Sequence, residues 1–176
     1  LYLASYYDPS RKLTSISCGK YSLKTPFELK RQIVRPAFYD LRQCCHVEKN
    51  WAYVHHTNQL RVIYAWFPMT ICEINMESGT LELVDTRTMP RFFRDARGST
   101  CGSLRNKEWW FVLHKAQKSV HHPRTAYNYQ HFFVVLDLDL RLIRRSSLFK
   151  LSGDFPVEFC TGIVAEPNRL VLSYLS

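Results

Sequence analysis

An all-β fold is predicted, and among all-β folds a β-propeller, on three observations. Short runs rich in β-branched and aromatic residues recur along the whole chain. Turn residues such as Asp8-Pro9-Ser10, Glu77-Ser78-Gly79 and Glu166-Pro167-Asn168 punctuate them. A similar strand also returns at intervals of about fifty to sixty residues, the kind of period that stacked blades produce.

In chain order, strands are expected at Tyr2 to Tyr7, Leu60 to Trp66, Met69 to Asn75, Trp109 to His114, His131 to Asp137, Arg141 to Arg145 and Arg169 to Tyr174. Pro26 to Arg35 is read as one or two helical turns, although no sustained apolar stripe of period 3.6 supports a longer helix. The recurring units are Tyr2-Leu3-Ala4-Ser5-Tyr6, Arg61-Val62-Ile63-Tyr64-Ala65, Trp110-Phe111-Val112-Leu113-His114 and Leu170-Val171-Leu172-Ser173-Tyr174. The second and third are each followed by a further strand, as in a four-stranded blade: Thr70 to Asn75 after the one, Phe132 to Asp137 after the other. A β-sandwich is the alternative arrangement of the same strands.

On this count residues 1–176 hold about three blades and the start of another. A propeller closes with four to eight, so the chain is expected to be part of a longer one. The opening Leu1-Tyr2-Leu3, which reads as the inside of a strand, points the same way.

Composition narrows the function classes. A 46% hydrophobic chain can bury a core, which sets aside disorder and collagen-like structure. The longest charge-free stretch near the middle, Val62 to Cys72, is about half the ~20 residues that span a bilayer and contains Pro68, so no membrane span is expected. Lys and Arg outnumber Asp and Glu by 24 to 15, giving a formal charge of +9 that favours anionic partners. The basic residues are scattered, however, and no RNP-like motif or helix-turn-helix pattern accompanies them, so nucleic acid is not expected as a partner.

The six cysteines include the adjacent pair Cys44-Cys45 and fall at no spacing of a small disulfide framework, which favours a reducing compartment such as the cytoplasm. Cys44-Cys45-His46, His55-His56 and His121-His122 place neighbouring side chains on opposite sides of an extended chain, so no metal site is expected. The six glycines form no G-x-G-x-x-G or G-K-[ST] loop, and no cofactor is expected.

An ordered series of short motifs then carries a resemblance. Glu48-Lys49-Asn50-Trp51 precedes the strand Leu60 to Ala65 and Phe67-Pro68. Arg97-Gly98-Ser99-Thr100 and Trp109 to His114 come next, followed by Tyr129-Gln130-His131 leading into Phe132 to Asp137. Ile143-Arg144-Arg145-Ser146, Val157-Glu158-Phe159-Cys160-Thr161-Gly162-Ile163 and Val171 to Tyr174 complete it. Over roughly residues 45 to 176 this order resembles the five-bladed propellers of β-mannoside phosphorylases and related β-mannosyltransferases.

The resemblance implies a sugar site at the mouth of the propeller's channel, with Lys49, Asn50, Arg97, His114, Tyr129, His131 and Glu158 lining it. It also implies that the family's general acid, an Asp, precedes the first strand and so lies before residue 1. The residue types suit that chemistry. Lys and Arg attract phosphate, Arg bidentately, while Asn and His bond hydroxyls. Glu158 would accept from sugar hydroxyls or fix His131, and Gly98 would allow close approach of a ligand. Trp51, Trp66, Trp109 and Trp110 would stack on sugar faces or pack between blades.

Two departures from the family pattern shift the expected reaction. Trp66-Phe67-Pro68 stands where phosphorylases carry an H-R-P-like stretch, and Lys115 stands where a small or acidic residue is usual. Transfer of a mannose-like sugar from a nucleotide-sugar or sugar-phosphate donor is thereby favoured over phosphorolysis or hydrolysis. A non-catalytic sugar- or protein-binding propeller is the reading from a different class.

Overall fold

The computed structural model describes residues 2–9, 13–21, 29–36, 50–56, 59–75, 77–118, 127–155 and 157–175. Most of them lie in strands, joined by turns and loops, and the helical element among them is a 3-10 turn at Arg91–Phe93. No helix among them is long and apolar enough to cross a membrane. The chain divides into two compact units, Leu1–Lys49 with Cys72–Asp85, and Asn50–Ile71 with Thr86–Ser176.

In the first unit, β1 (Tyr2–Asp8), β2 (Leu13–Tyr21) and β3 (Leu29–Pro36) form an antiparallel meander. The helical reading of Pro26 to Arg35 is corrected here. Leu29–Pro36 is a strand, because the β-branched pair Ile33-Val34 comes into register with Ser17 and Ile16 of β2. A weak local helix preference loses to strand pairing of this kind. β7 (Thr80–Arg87) runs parallel to β3 at Arg35 and Pro36, with the second half of β6 (Met69–Asn75) beside it. The β6–β7 turn is held by Asn75, whose Oδ1 accepts from the backbone N–H of Glu77 and of Ser78.

The second unit carries three further sets of neighbouring strands. β4 (Ala52–His56) pairs antiparallel with β5 (Gln59–Trp66), and the first half of β6 follows β5 around Phe67-Pro68. A second meander runs β8 (Ala96–Gly98), β10 (Glu108–Lys118), β11 (Tyr127–Leu136) and β12 (Leu142–Arg145), with β9 (Ser103–Arg105) as a hairpin arm on β10. β13 (Phe159–Ala165) and β14 (Leu170–Leu175) form a last antiparallel pair. The seven strands expected from the sequence are all present, β6 with the same ends; β2, β3, β4, β7, β8, β9 and β13 are additional.

The core of this unit follows from strand alternation. Trp109, Phe111 and Leu113 of β10 and their register partners Leu136, Val134 and Phe132 of β11 share one face. That face packs with Ala52, Val54, Ile63, Trp66, Met69, Ile71 and Phe93. Trp66 meets Phe111 edge-on at 5.4 Å, and Phe93 meets Phe132 at 5.8 Å. Trp51 is buried too, so three of the four tryptophans lie in packed surroundings, while Trp110 faces Arg105 and Arg144 on the other side of β10.

Candidate functional site

Alternation sends the even-numbered residues of β10 to the face opposite this core, and there the polar residues gather. His114 of β10 is the register partner of Arg97 on β8 and of His131 on β11. Directly opposed residues in an antiparallel sheet share a face, so Arg97, His114 and His131 form one row across three adjacent strands. Tyr129, two residues before His131, stacks on His114 with ring centroids 4.9 Å apart and planes at 14°. The two imidazoles are 6.2 Å apart.

The row runs from solvent to interior. Arg97 is exposed and Tyr129 half-buried, whereas His114 and His131 are 1% and 0% accessible. Ser99, just past β8, lies 2.7 Å from His114 Nδ1 through its Oγ, which fixes the ring's orientation. Phe159 of β13 covers His114 edge-on at 5.3 Å. Among the described residues neither ring nitrogen of His131 has a hydrogen-bond partner. Burial lowers the pKa of its imidazole; the Glu158 carboxylate works against that shift and the Lys150 ammonium with it.

Glu158 is fully buried for a local reason. Its carboxylate accepts from the backbone N–H of Leu151 at 2.8 Å, of Ser152 at 2.9 Å and of Gly153 at 2.8 Å, and from Ser152 Oγ at 2.6 Å. Burial alone would raise its pKa, but these four donors outweigh burial and set it at about 2. Glu158 is therefore a fixed anion that shapes the loop of Leu151, Ser152 and Gly153 and sits near His131.

Asn50 does not join the row. It adopts φ 64°, and its carbonyl oxygen would lie 2.4 Å from a Cβ built on Gly98. Gly98 neighbours Arg97 in β8 and so points to the other face, toward Asn50 and Trp66. The close approach that Gly98 permits is thus the chain's own backbone. Lys49 lies outside the described residues, as do Cys44-Cys45-His46 and His121-His122. Among the described residues no group of three or more His, Cys, Asp or Glu is placed to hold a metal ion. Cys72, Cys101 and Cys160 are free thiols; burial raises all three, Cys72 to about 12.

Lys115, one residue past His114, faces the opposite side of the sheet, its Nζ 4.2 Å from the Phe92 ring centroid. Ser99, Phe149 and Phe159 complete the surroundings of the row without having been expected there. Ser99 lies inside the Arg97-Gly98-Ser99 motif, which was a legible signal. Phe149 reaches the site through a single isolated bridge to His131, which leaves no periodic trace in sequence.

No protein-family model, no curated protein and no solved structure matches this chain.

Proposed function

We propose that the chain is part of a β-propeller of the carbohydrate-active kind, and that the row Arg97–His114–His131 with Tyr129 is one wall of a site for a mannose-like sugar carried on a phosphate or nucleotide donor. The observation that carries this reading is the row itself. Three residues 17 positions apart along the chain, each drawn from a different motif of the ordered series, are register partners on neighbouring strands. The meander β8–β10–β11–β12 supports the propeller half of the reading, because four antiparallel strands in chain order make up one blade.

Chemically the row is graded for such a ligand. Arg97 offers an exposed guanidinium to a donor phosphate, His114 is oriented by Ser99, and Tyr129 presents a ring and a hydroxyl. Sugar recognition uses this combination of aromatic faces and paired donors and acceptors. Glu158, deprotonated over the physiological range, is unsuited to donate a proton to a leaving oxygen and contributes architecture.

A sugar-binding scaffold without chemistry is the second reading, favoured by the way the Glu158 carboxylate is taken up by its own loop. Ligand-observed NMR with mannose 1-phosphate and a mannose nucleotide, followed by a transfer assay to a mannoside acceptor, separates the two. Binding with transfer supports the enzyme. Binding that weakens in Arg97→Ala and His114→Gln without any turnover supports the scaffold, and no binding of either donor overturns the sugar reading.

A further inference from the structure

The face that carries His114 and His131 is covered by residues 147–155 and 157–165, through Phe149 beside His131 and Phe159 over His114, and both rings are out of reach of water. The segment is tied down at three places. Phe149 and His131 exchange both backbone hydrogen bonds at 2.8 Å. Phe159 covers His114. At the far end the Ala165 N–H donates to Ser103 Oγ at 2.9 Å. Between these points Glu158 gathers the amides of residues 151–153 into a rigid loop.

The described groups around the imidazoles bear on what a proton would do there. From the covering segment come Glu158, which favours an imidazolium at His131, and Lys150, which opposes it. From the sheet come Tyr129, stacked on His114, and Arg97, the exposed neighbour in the row. Phe149 and Phe159 supply apolar rings. No described residue offers an acceptor to His131, so a protonated ring would have two buried N–H groups and no partner for either. Lifting the segment hydrates the His131 ring, and so its proton uptake and the opening are linked.

We propose that residues 147–155 and 157–165 form a proton-released strap, closed over the imidazole of His131 near neutrality and freed from β9, β10 and β11 when that ring is protonated, while the core on the opposite face stays folded. The proposal does not depend on which ligand His114 serves. It describes a two-state element in which a local charge change is read out as exposure of the buried His114–His131 face.

Amide exchange followed by NMR on the intact chain tests it. Between about pH 7.5 and about pH 5, and after correction for intrinsic rates, the amides of Phe149 and Ala165, which bond across to His131 and Ser103, should lose about tenfold in protection for each proton-coupled pH unit, while those of Phe111, Leu113 and Val134 keep theirs. Glu158 cannot be the trigger in this range, because its titration is complete well below it. His131→Phe keeps an aromatic ring without a proton site and should hold the strap's protection at the lower pH. Should that variant fail to fold, the ring C–H titration of the native histidines serves instead. One midpoint must lie below the ordinary histidine value and coincide with the loss of strap protection. Protection unchanged over this range, lost together with the core, or lost equally in His131→Phe, overturns the proposal.

Discussion

Gly98 and Glu158 are the two residues whose roles are most sharply set by their contacts. At Gly98 a methyl group would meet the Asn50 carbonyl oxygen at 2.4 Å, a distance no Cβ tolerates, and the obstacle is backbone. Gly98→Ala should therefore destabilise the second unit by about 2 kcal/mol, an overpacking cost measured by urea denaturation. Glu158 is held by four donors, so Glu158→Gln, which presents an amide N–H₂ to N–H groups, should cost on the order of 2 kcal/mol. The pH dependence has a definite sign. The folded carboxyl titrates at about 2 and the unfolded one near 4.5, so its stabilisation is present above about 4.5 and is lost as pH falls toward 2. His131 acts in the same direction at higher pH: its folded pKa is lowered, so its contribution is present above the ordinary value and declines below it. Denaturation curves for Glu158→Gln should accordingly be flatter than the parent's between about pH 4.5 and pH 2.

At the scale of elements, the sheet β8–β10–β11–β12 does two jobs because its two faces differ. One is continuous apolar core; the other carries the histidine row at one end and the pair Glu108–Arg144 at the other. Arg144 forms a bidentate bond with Glu108, at 2.8 Å and 2.6 Å, and lies 5.1 Å from the Trp110 ring centroid. The Arg144 hydrogen bonds keep the Glu108 carboxyl below its usual range, yet the pair is open to solvent, with Arg144 48% exposed. Arg144→Ala should cost less than about 1 kcal/mol, and that small loss should shrink further in high salt when followed by thermal melting. The strands of this sheet were legible because β10 and β11 are long and dense in aromatic and β-branched residues. β8 and β9, three residues each, were not, because no periodicity can develop over so few positions.

At the scale of the whole molecule, the second unit has one core shared by β4, β5, β10 and β11, with Phe111 at its centre and fully buried. Phe111→Ala should destabilise that unit by about 3 to 5 kcal/mol. Because the core is shared, amides of Val54 and Ile63 should lose protection together with those of β10, as hydrogen exchange would register. The amino-acid sequence by itself determined that this chain is built of strands and where the longest ones lie, since strand period and turn residues are local properties. The resemblance carried by its motif order also marked Lys49, Asn50, Arg97, His114, Tyr129, His131 and Glu158 as candidates. Only the tertiary structure decided that Arg97, His114 and His131 stand in one row, that Asn50 and Lys115 face elsewhere, and that the Glu158 carboxylate is consumed by its own loop. Register, face and burial are relations between strands distant in sequence, and a change of one residue in register reverses which side chains meet.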